Sequence, residues 1–275
     1  MTATIEPATE RSRLRSRQGG EYWLDLGRTW VDRLLGPVPD RPKPRGLDAD
    51  RRAAVVLWAA AVLVLLLVFK GGFPTPGHLY SGWDSVGPRS LKAELFWAGW
   101  GYVFYLVIPL AIILLVFRES PARYGMRFYL TGRTARLYLG LLLFMVPLLV
   151  WASTRSSFLA TYPFVRDLDG SWVQTIVIWE VAYVGQFICL EFFFRGFLLF
   201  GLEEKLGYTA IAASTVPYGL IHFAKPFPEA MAAICAGAVL GYLALRTRTI
   251  MGGAIIHSAV AVSMDMLALW RNDFF

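Results

Sequence analysis

The sequence predicts an all-α, polytopic integral membrane helical bundle, with about seven transmembrane helices and an N-terminal interfacial helix. Hydrophobic residues make up 56% of the 275 residues and charged residues 17%, with a mean hydropathy of +0.49. Soluble domains are about 45–50% apolar and about 25% charged. The apolar residues also gather in runs close to the roughly 20 residues that cross a bilayer. This composition excludes disordered, collagen-like and disulfide-scaffold proteins, and both cysteines lie inside apolar runs.

Residues 1–52 form a basic arm that we expect on the cytosolic side. Eleven of the 27 Lys and Arg residues fall in this arm, which we expect to bind anionic lipid headgroups. No nucleic-acid-binding motif accompanies them, so nucleic acid is not an expected partner. Within the arm, apolar residues recur at helical spacing, at Trp23, Leu26, Trp30 and Leu34. They predict an amphipathic helix that lies in the membrane interface or packs on the protein's own cytosolic face, followed by a Pro-rich linker.

Seven apolar runs qualify, or nearly qualify, as membrane spans. They are residues 53–69, 95–117, 135–152, 172–202, 209–223, 230–245 and 250–270. Run 172–202 is too long for one straight crossing, so we expect it to be tilted, kinked near Gly185 or broken. Basic residues concentrate in the arm, in loop 118–136 and at Arg246 and Arg248, which predicts a cytoplasmic N-terminus. We divide the rest of the chain into scaffold helices, 53–152, and a core, 153–275.

Ionisable side chains are costly inside a membrane and mark functional sites there. The first three predicted spans contain essentially none, whereas the last four carry a set, namely Glu180, Glu191, Arg195, His222, His257 and Asp265. Taken singly, each histidine is typical of a hydrogen-bonded interior residue. Glu191 and Arg195 are four positions apart, a spacing that is typical of a structural ion pair on one helix. Their joint occurrence on three helices predicts one shared site, formed by Glu191, Arg195, His222 and His257.

Three other charged residues have alternative interpretations. Lys225 and Glu229 flank a proline-containing turn and either line a cavity mouth or face solvent. Asp265 lies about 12 Å along the helix axis from His257, too far for a direct hydrogen bond. We expect it to cap a cavity or to pair with a neighbouring helix.

The order of these motifs resembles the CAAX protease and bacteriocin-processing family of intramembrane endopeptidases, which is related to the type II CAAX prenyl proteases. The likeness covers roughly residues 171–270. Its most specific stretch is Leu-Glu-Phe-Phe-Phe-Arg-Gly-Phe-Leu-Leu at 190–199, and Arg123-Tyr-Gly-Met also fits. Tyr218 to His222 matches the second motif, with Tyr in place of the commoner Phe, and His257 matches the third.

Two positions depart from the family pattern. The family usually has two adjacent glutamates, of which the first is generally assigned as the catalytic base, and here that position is Leu190. The Asn or acidic residue four positions after the last histidine is Ala261. Neighbouring helical residues diverge by about 100°, so Glu191 does not replace position 190 unless a π-bulge rotates it.

The resemblance implies an intramembrane endopeptidase that hydrolyses a membrane-embedded or lipid-modified peptide or protein. Glu191 would act as general base on water, Arg195 would hold it ionised, and His222 and His257 would position the water or stabilise the oxyanion. No cofactor is expected, and zinc held by two histidines and one glutamate is the alternative. Two other functions stay open: a catalytically impaired membrane scaffold, chaperone or complex subunit, favoured by Leu190 and Ala261, and a transporter or channel.

Overall fold

The computed structural model describes residues 33–36, 38–39, 47–70, 89–167, 171–223 and 225–272. Two compact units are distinguished, residues 1–39 and 40–275. In the first, the described residues include a short helical segment at 33–35. Most of the predicted interfacial helix, and the third histidine, His78, lie outside the described residues. The predicted division into scaffold and core regions stays a prediction.

The described part of the second unit is helical, without a strand, and includes a short 3-10 helix at Pro121–Tyr124. The helices are α1 (Ala49–Lys70), α2 (Leu91–Phe117), α3 (Gly132–Ala152), α4 (Ser156–Thr161), α5 (Trp172–Leu206), α6 (Thr209–Leu220), α7 (Phe227–Thr247) and α8 (Met251–Arg271). Six of them, α1, α2, α3, α5, α7 and α8, are long and apolar enough to cross a membrane. The predicted all-α, multi-pass membrane bundle is therefore confirmed.

Helix α6 is shorter than the span predicted at 209–223. It has 12 residues, with Pro217 near its end, and is about 18 Å long, against a hydrocarbon core of about 30 Å. It runs antiparallel to α7, because Gly237 meets Thr215 and Gly219 meets Ile234. The pass across the bundle at this point is made by α6 together with the turn that follows it. Apolar composition alone does not show where such a helix ends.

Helix α5 lies at the centre of the bundle. It runs parallel to α2, since Trp97 stacks on Trp179 and Tyr105 packs against Phe193 further along both helices. It runs antiparallel to α8, because Trp179 hydrogen-bonds Asp265 near the start of α5 and Glu191 hydrogen-bonds His257 further on. Side chains of α5 therefore face most of the other helices.

The long apolar run at 172–202 forms one continuous helix that changes its winding. It is α-helical from Trp172 to Glu191 and π-helical from Phe192 to Phe200. Every residue of the π-helical segment is buried. At Gly185 the helix does not break. Tyr102 packs closely there and its hydroxyl donates a hydrogen bond to the Ala182 carbonyl.

A buried ionic network ties α1 to α5 at the end of the bundle that carries Arg52, Arg123 and Arg248, which we call the basic end. Arg52 donates hydrogen bonds to the carboxylates of Glu119 and Glu204. Arg123 pairs with the same two carboxylates, and the Tyr124 hydroxyl donates to Glu119 over 2.7 Å. Burial raises the pKa of Tyr124 well above its usual value, which keeps this hydroxyl a donor. The network therefore joins three separate parts of the chain.

We predict that Arg52→Ala lowers the thermal unfolding temperature in detergent sharply. Without Arg52, two carboxylates remain opposite the single guanidinium of Arg123. One negative charge is then uncompensated, and breaking a buried ion pair in this way typically costs about 3–5 kcal/mol. Arg51→Ala is the matched control, because its side chain is 76% exposed and pairs only at the surface with Asp48. Equal unfolding temperatures for the two variants would contradict a buried network at Arg52.

Candidate active site

The structure brings the four predicted site residues into one cluster. Glu191 and Arg195 lie on α5, His222 follows the end of α6, and His257 lies on α8. Oε1 of Glu191 is 2.9 Å from Nη1 of Arg195 and 3.0 Å from Nδ1 of His257. A single carboxylate oxygen therefore contacts both a guanidinium and an imidazole.

Tyr218 joins His222 and Arg195 to the same cluster. The Arg195 guanidinium lies over the Tyr218 ring, 4.1 Å from its centroid. Nδ1 of His222 is 2.8 Å from the Tyr218 backbone carbonyl, and the two rings are 4.7 Å apart. The Tyr218 hydroxyl is 3.4 Å from Nε2 of His257. The sequence placed Tyr218 in a motif with His222, and its contacts with Arg195 and His257 were not anticipated.

The hydrogen-bond partners fix which ring nitrogens of the two histidines carry protons. A neutral imidazole donates from one nitrogen and accepts at the other. The Glu191 carboxylate and the Tyr218 carbonyl are both acceptors, so each histidine donates from Nδ1. Both Nε2 atoms are consequently acceptors. The cluster therefore presents two nitrogen lone pairs that can bind a water molecule.

Burial differs across the cluster. The Glu191 side chain is 0% exposed and that of Arg195 is 2% exposed, whereas that of His257 is 13% exposed. Access to the cluster is therefore through the imidazoles. Gly253 makes room for the carboxylate, because a Cβ there would lie 2.6 Å from Oε2 of Glu191. This oxygen has no hydrogen-bond partner among the residues that the structure describes.

The two positions that depart from the family pattern are apolar and buried in the structure. Leu190 belongs to the main hydrophobic core, and Ala261 to a second core that includes Trp179. Glu191 is the last residue of the α-helical part of α5, and the π-helix begins after it. Leu190 packs in the apolar core, whereas Glu191, directly before the π-helical segment, is the residue that His257 contacts.

The other ionisable residues singled out in the sequence lie outside this cluster. Asp265 accepts hydrogen bonds from the Trp179 indole and the Phe164 amide, so it pairs with a neighbouring helix and a loop. Both carboxylate oxygens of Glu180 are buried and lack a hydrogen-bond partner within the described part of the chain. Like Glu191, Glu180 lies on α5, but it contacts none of the four site residues through a hydrogen bond or an ion pair.

Lys225 and Glu229 meet Tyr162 at the end of the bundle opposite the basic end. Lys225 donates a hydrogen bond to the Tyr162 hydroxyl over 2.8 Å, and this hydroxyl donates to Glu229 over 2.6 Å. The Lys225 ammonium also lies 4.3 Å from the centre of the Phe164 ring. Burial lowers the pKa of Lys225. The loop before α5 is thereby fastened to the start of α7, a contact that no sequence pattern predicted.

The segment of the chain that carries the cluster matches a known protein family. Residues 172–263 match the family model described as type II CAAX prenyl endopeptidase Rce1-like. The match covers a third of the chain and includes all four site residues, as well as Leu190 and Ala261. The family resemblance predicted from the sequence is confirmed over this segment. Comparison with curated proteins and with solved structures gave no match.

We predict that Arg195→Ala lowers the unfolding temperature in detergent more than Glu191→Gln does. Loss of the guanidinium leaves the buried Glu191 carboxylate with an uncompensated charge, at a cost of about 3–5 kcal/mol. The Glu191→Gln variant leaves the guanidinium without its carboxylate, but this cation still lies over the Tyr218 ring. The neutral side-chain amide can also still accept a hydrogen bond from His257. Arg195→Lys keeps the charge but loses the planar guanidinium, so we expect its unfolding temperature to lie between those of the wild type and Arg195→Ala. An Arg195→Ala variant that unfolds at the wild-type temperature would show that the pair is exposed to water or not formed.

Proposed function

Since residues 172–263 match the Rce1-like family, we propose that this multi-pass membrane protein is an intramembrane endopeptidase. It would hydrolyse a peptide bond of a membrane-embedded or lipid-modified peptide or protein. The observation that carries this proposal is the 3.0 Å contact between the buried Glu191 carboxylate and Nδ1 of His257. A carboxylate that holds one nitrogen of an imidazole directs the other nitrogen to act as a base.

In this mechanism His257 is the general base, in place of Glu191, for which the sequence predicted that role. Glu191 acts through His257. Nε2 of His257 takes a proton from a water molecule, and the water oxygen attacks the carbonyl carbon of the substrate. The resulting imidazolium is stabilised by the Glu191 carboxylate. It then returns the proton to the leaving amine, and the carbon–nitrogen bond breaks. Position 190, where the family has its usual base, takes no part because Leu190 is apolar.

Arg195 and His222 would have supporting roles. The Arg195 guanidinium, 2.9 Å from the same carboxylate oxygen, keeps the buried Glu191 carboxylate ionised. His222 donates from Nδ1 to a backbone carbonyl, so its Nε2 can accept a hydrogen bond from the attacking water. Of the two roles expected for His222, this geometry favours positioning the water over stabilising the oxyanion.

We propose that the reaction proceeds without a metal ion. Oxygen Oε1 of Glu191 is already shared between Arg195 and His257, and a cation bound there would lie beside the guanidinium charge. No group of three or more His, Cys, Asp or Glu suited to a metal occurs among the described residues. If zinc is required instead, chelation with EDTA will abolish cleavage and added zinc will restore it.

We predict that Glu191→Gln and His257→Ala each reduce peptide cleavage by about 100-fold or more, the usual scale of general-base catalysis. The measurement is cleavage of a fluorescent membrane-anchored peptide by purified protein in liposomes. Glu180→Gln is the matched control, because it makes the same change on the same helix outside the cluster, and it should keep wild-type activity. Full activity in Glu191→Gln would exclude this carboxylate from the mechanism.

A catalytically impaired scaffold, chaperone or complex subunit is the second candidate function. It is favoured by the apolar, buried Leu190 and Ala261, because the family has polar groups at both positions. Under this hypothesis purified wild-type protein cleaves no membrane peptide. Glu191→Gln would then leave the recovery of crosslinked membrane partners unchanged.

We further propose that the basic end faces the cytoplasm, together with the N-terminal arm. Arg52, Arg123 and Arg248 come from separate parts of the chain, yet all three pair with Glu203 or Glu204 at one end of α5. Such clustering of basic residues follows the positive-inside rule.

We predict that a cysteine near the basic end is shielded from reagents outside the cell. In a background with Cys189 and Cys235 replaced by Ala, Tyr129→Cys should react with a membrane-impermeant maleimide only after the cells are permeabilised. Ser156→Cys, which is exposed near the opposite end, should react in intact cells. The reverse pattern would invert the proposed orientation.

A further inference from the structure

We infer that Tyr218 is a positioning residue for His257, whose Nε2 atom receives a hydrogen bond from the Tyr218 hydroxyl. The separation of 3.4 Å between these two atoms is the observation on which this rests. Because Nδ1 of His257 donates to Glu191, Nε2 is an acceptor, and a hydroxyl facing it must act as the donor. Hydroxyl, imidazole and carboxylate thus form a continuous chain from Tyr218 to Glu191.

The Tyr218 ring is held on several sides, which fixes the direction of its hydroxyl. The Arg195 guanidinium covers one face at 4.1 Å, and the Phe194 ring meets it edge-on at 5.2 Å. The His222 ring packs against it at 4.7 Å. A ring clamped in this way loses little further entropy when its hydroxyl binds a partner. His257 is therefore held at both nitrogens by groups that cannot move freely.

The length of the contact suits a base that must also bind water. At 3.4 Å the hydroxyl and Nε2 are at the long limit of a hydrogen bond. A water molecule that approaches Nε2 can replace this contact at small cost, because the hydrogen bond from Nδ1 to Glu191 then keeps the ring in the orientation that Tyr218 helped to set. The catalytic consequence of this arrangement rests on the proposed function, but the hydrogen bond itself does not.

Tyr218→Phe tests the inference, because it removes the hydroxyl and keeps the ring contacts. The matched control is Tyr105→Phe. Tyr105 is buried in the same aromatic cluster, against Phe193 and Phe194, and has no hydrogen bond or ring contact with His257. Thermal unfolding of both variants in detergent establishes that each is folded.

The direct readout is the ¹⁵N chemical shift of His257 Nε2 in labelled protein. The chain has three histidines, so single substitutions at the other two assign the signals. We expect the Nε2 signal of Tyr218→Phe to move toward the position of a free, unprotonated imidazole nitrogen, with no change in Tyr105→Phe. A wild-type Nε2 signal already at that position, or one unaffected by Tyr218→Phe, would overturn the inference.

Kinetics give a second readout that separates the inference from the proposed function. For cleavage of the membrane-anchored peptide, we expect Tyr218→Phe to lower kcat about tenfold, the scale of one neutral hydrogen bond, with KM unchanged. A KM change with constant kcat would contradict a role in positioning the base. If the wild type cleaves no peptide, the proposed function fails and the ¹⁵N measurement alone decides on the hydrogen bond.

Discussion

The pairing of one buried carboxylate with two partners is the constraint on which the core of this protein depends. A charge inside a membrane bundle is costly unless it is paired and hydrogen-bonded, and Glu191 has no contact with solvent. Its partners come from its own helix, at Arg195, and from α8, at His257. Helices α5 and α8 must therefore stay in one register. Gly253 on α8 allows this close approach of the two helices, since a larger residue there would displace the Glu191 carboxylate.

The bundle holds its charged groups at three levels, separated by apolar and aromatic packing. Arg52, Glu119, Arg123 and Glu204 lie at the basic end, the Glu191 cluster lies in the interior, and Lys225, Glu229 and Tyr162 lie toward the opposite end. Helix α5 supplies Glu204 to the first level and Glu191 to the second. Rings of Tyr183 and Phe187 continue from Trp179 to His257, with successive centroids 4.3–4.6 Å apart. Rigid rings between the charges keep each polar group close to its own partners.

Much of the fold and the membership of the central cluster could be predicted from the sequence, because both follow from local patterns. Apolar runs indicated the crossing helices, and costly residues such as Glu191 and His257 stood out inside them. What could not be predicted depends on tertiary contacts. Helix α6 ends at Leu220, inside an apolar run, and the π-helical segment after Glu191 leaves no signature in such a run. Tyr162 and Glu204 gave no signal because their partners are distant in the chain.

The network at Arg52 has a consequence for how the chain is made. Arg52 precedes Glu119 by 67 residues and Glu204 by 152 residues. The ribosome therefore completes α1 well before either carboxylate exists. Until then the arginine, at the end of its helix, has to remain among headgroups and water. Its complete pairing must follow the synthesis of α5, so α1 can enter the bilayer first but reaches its final place only after α5 has been made. The order of insertion and the order of packing thus differ in this protein.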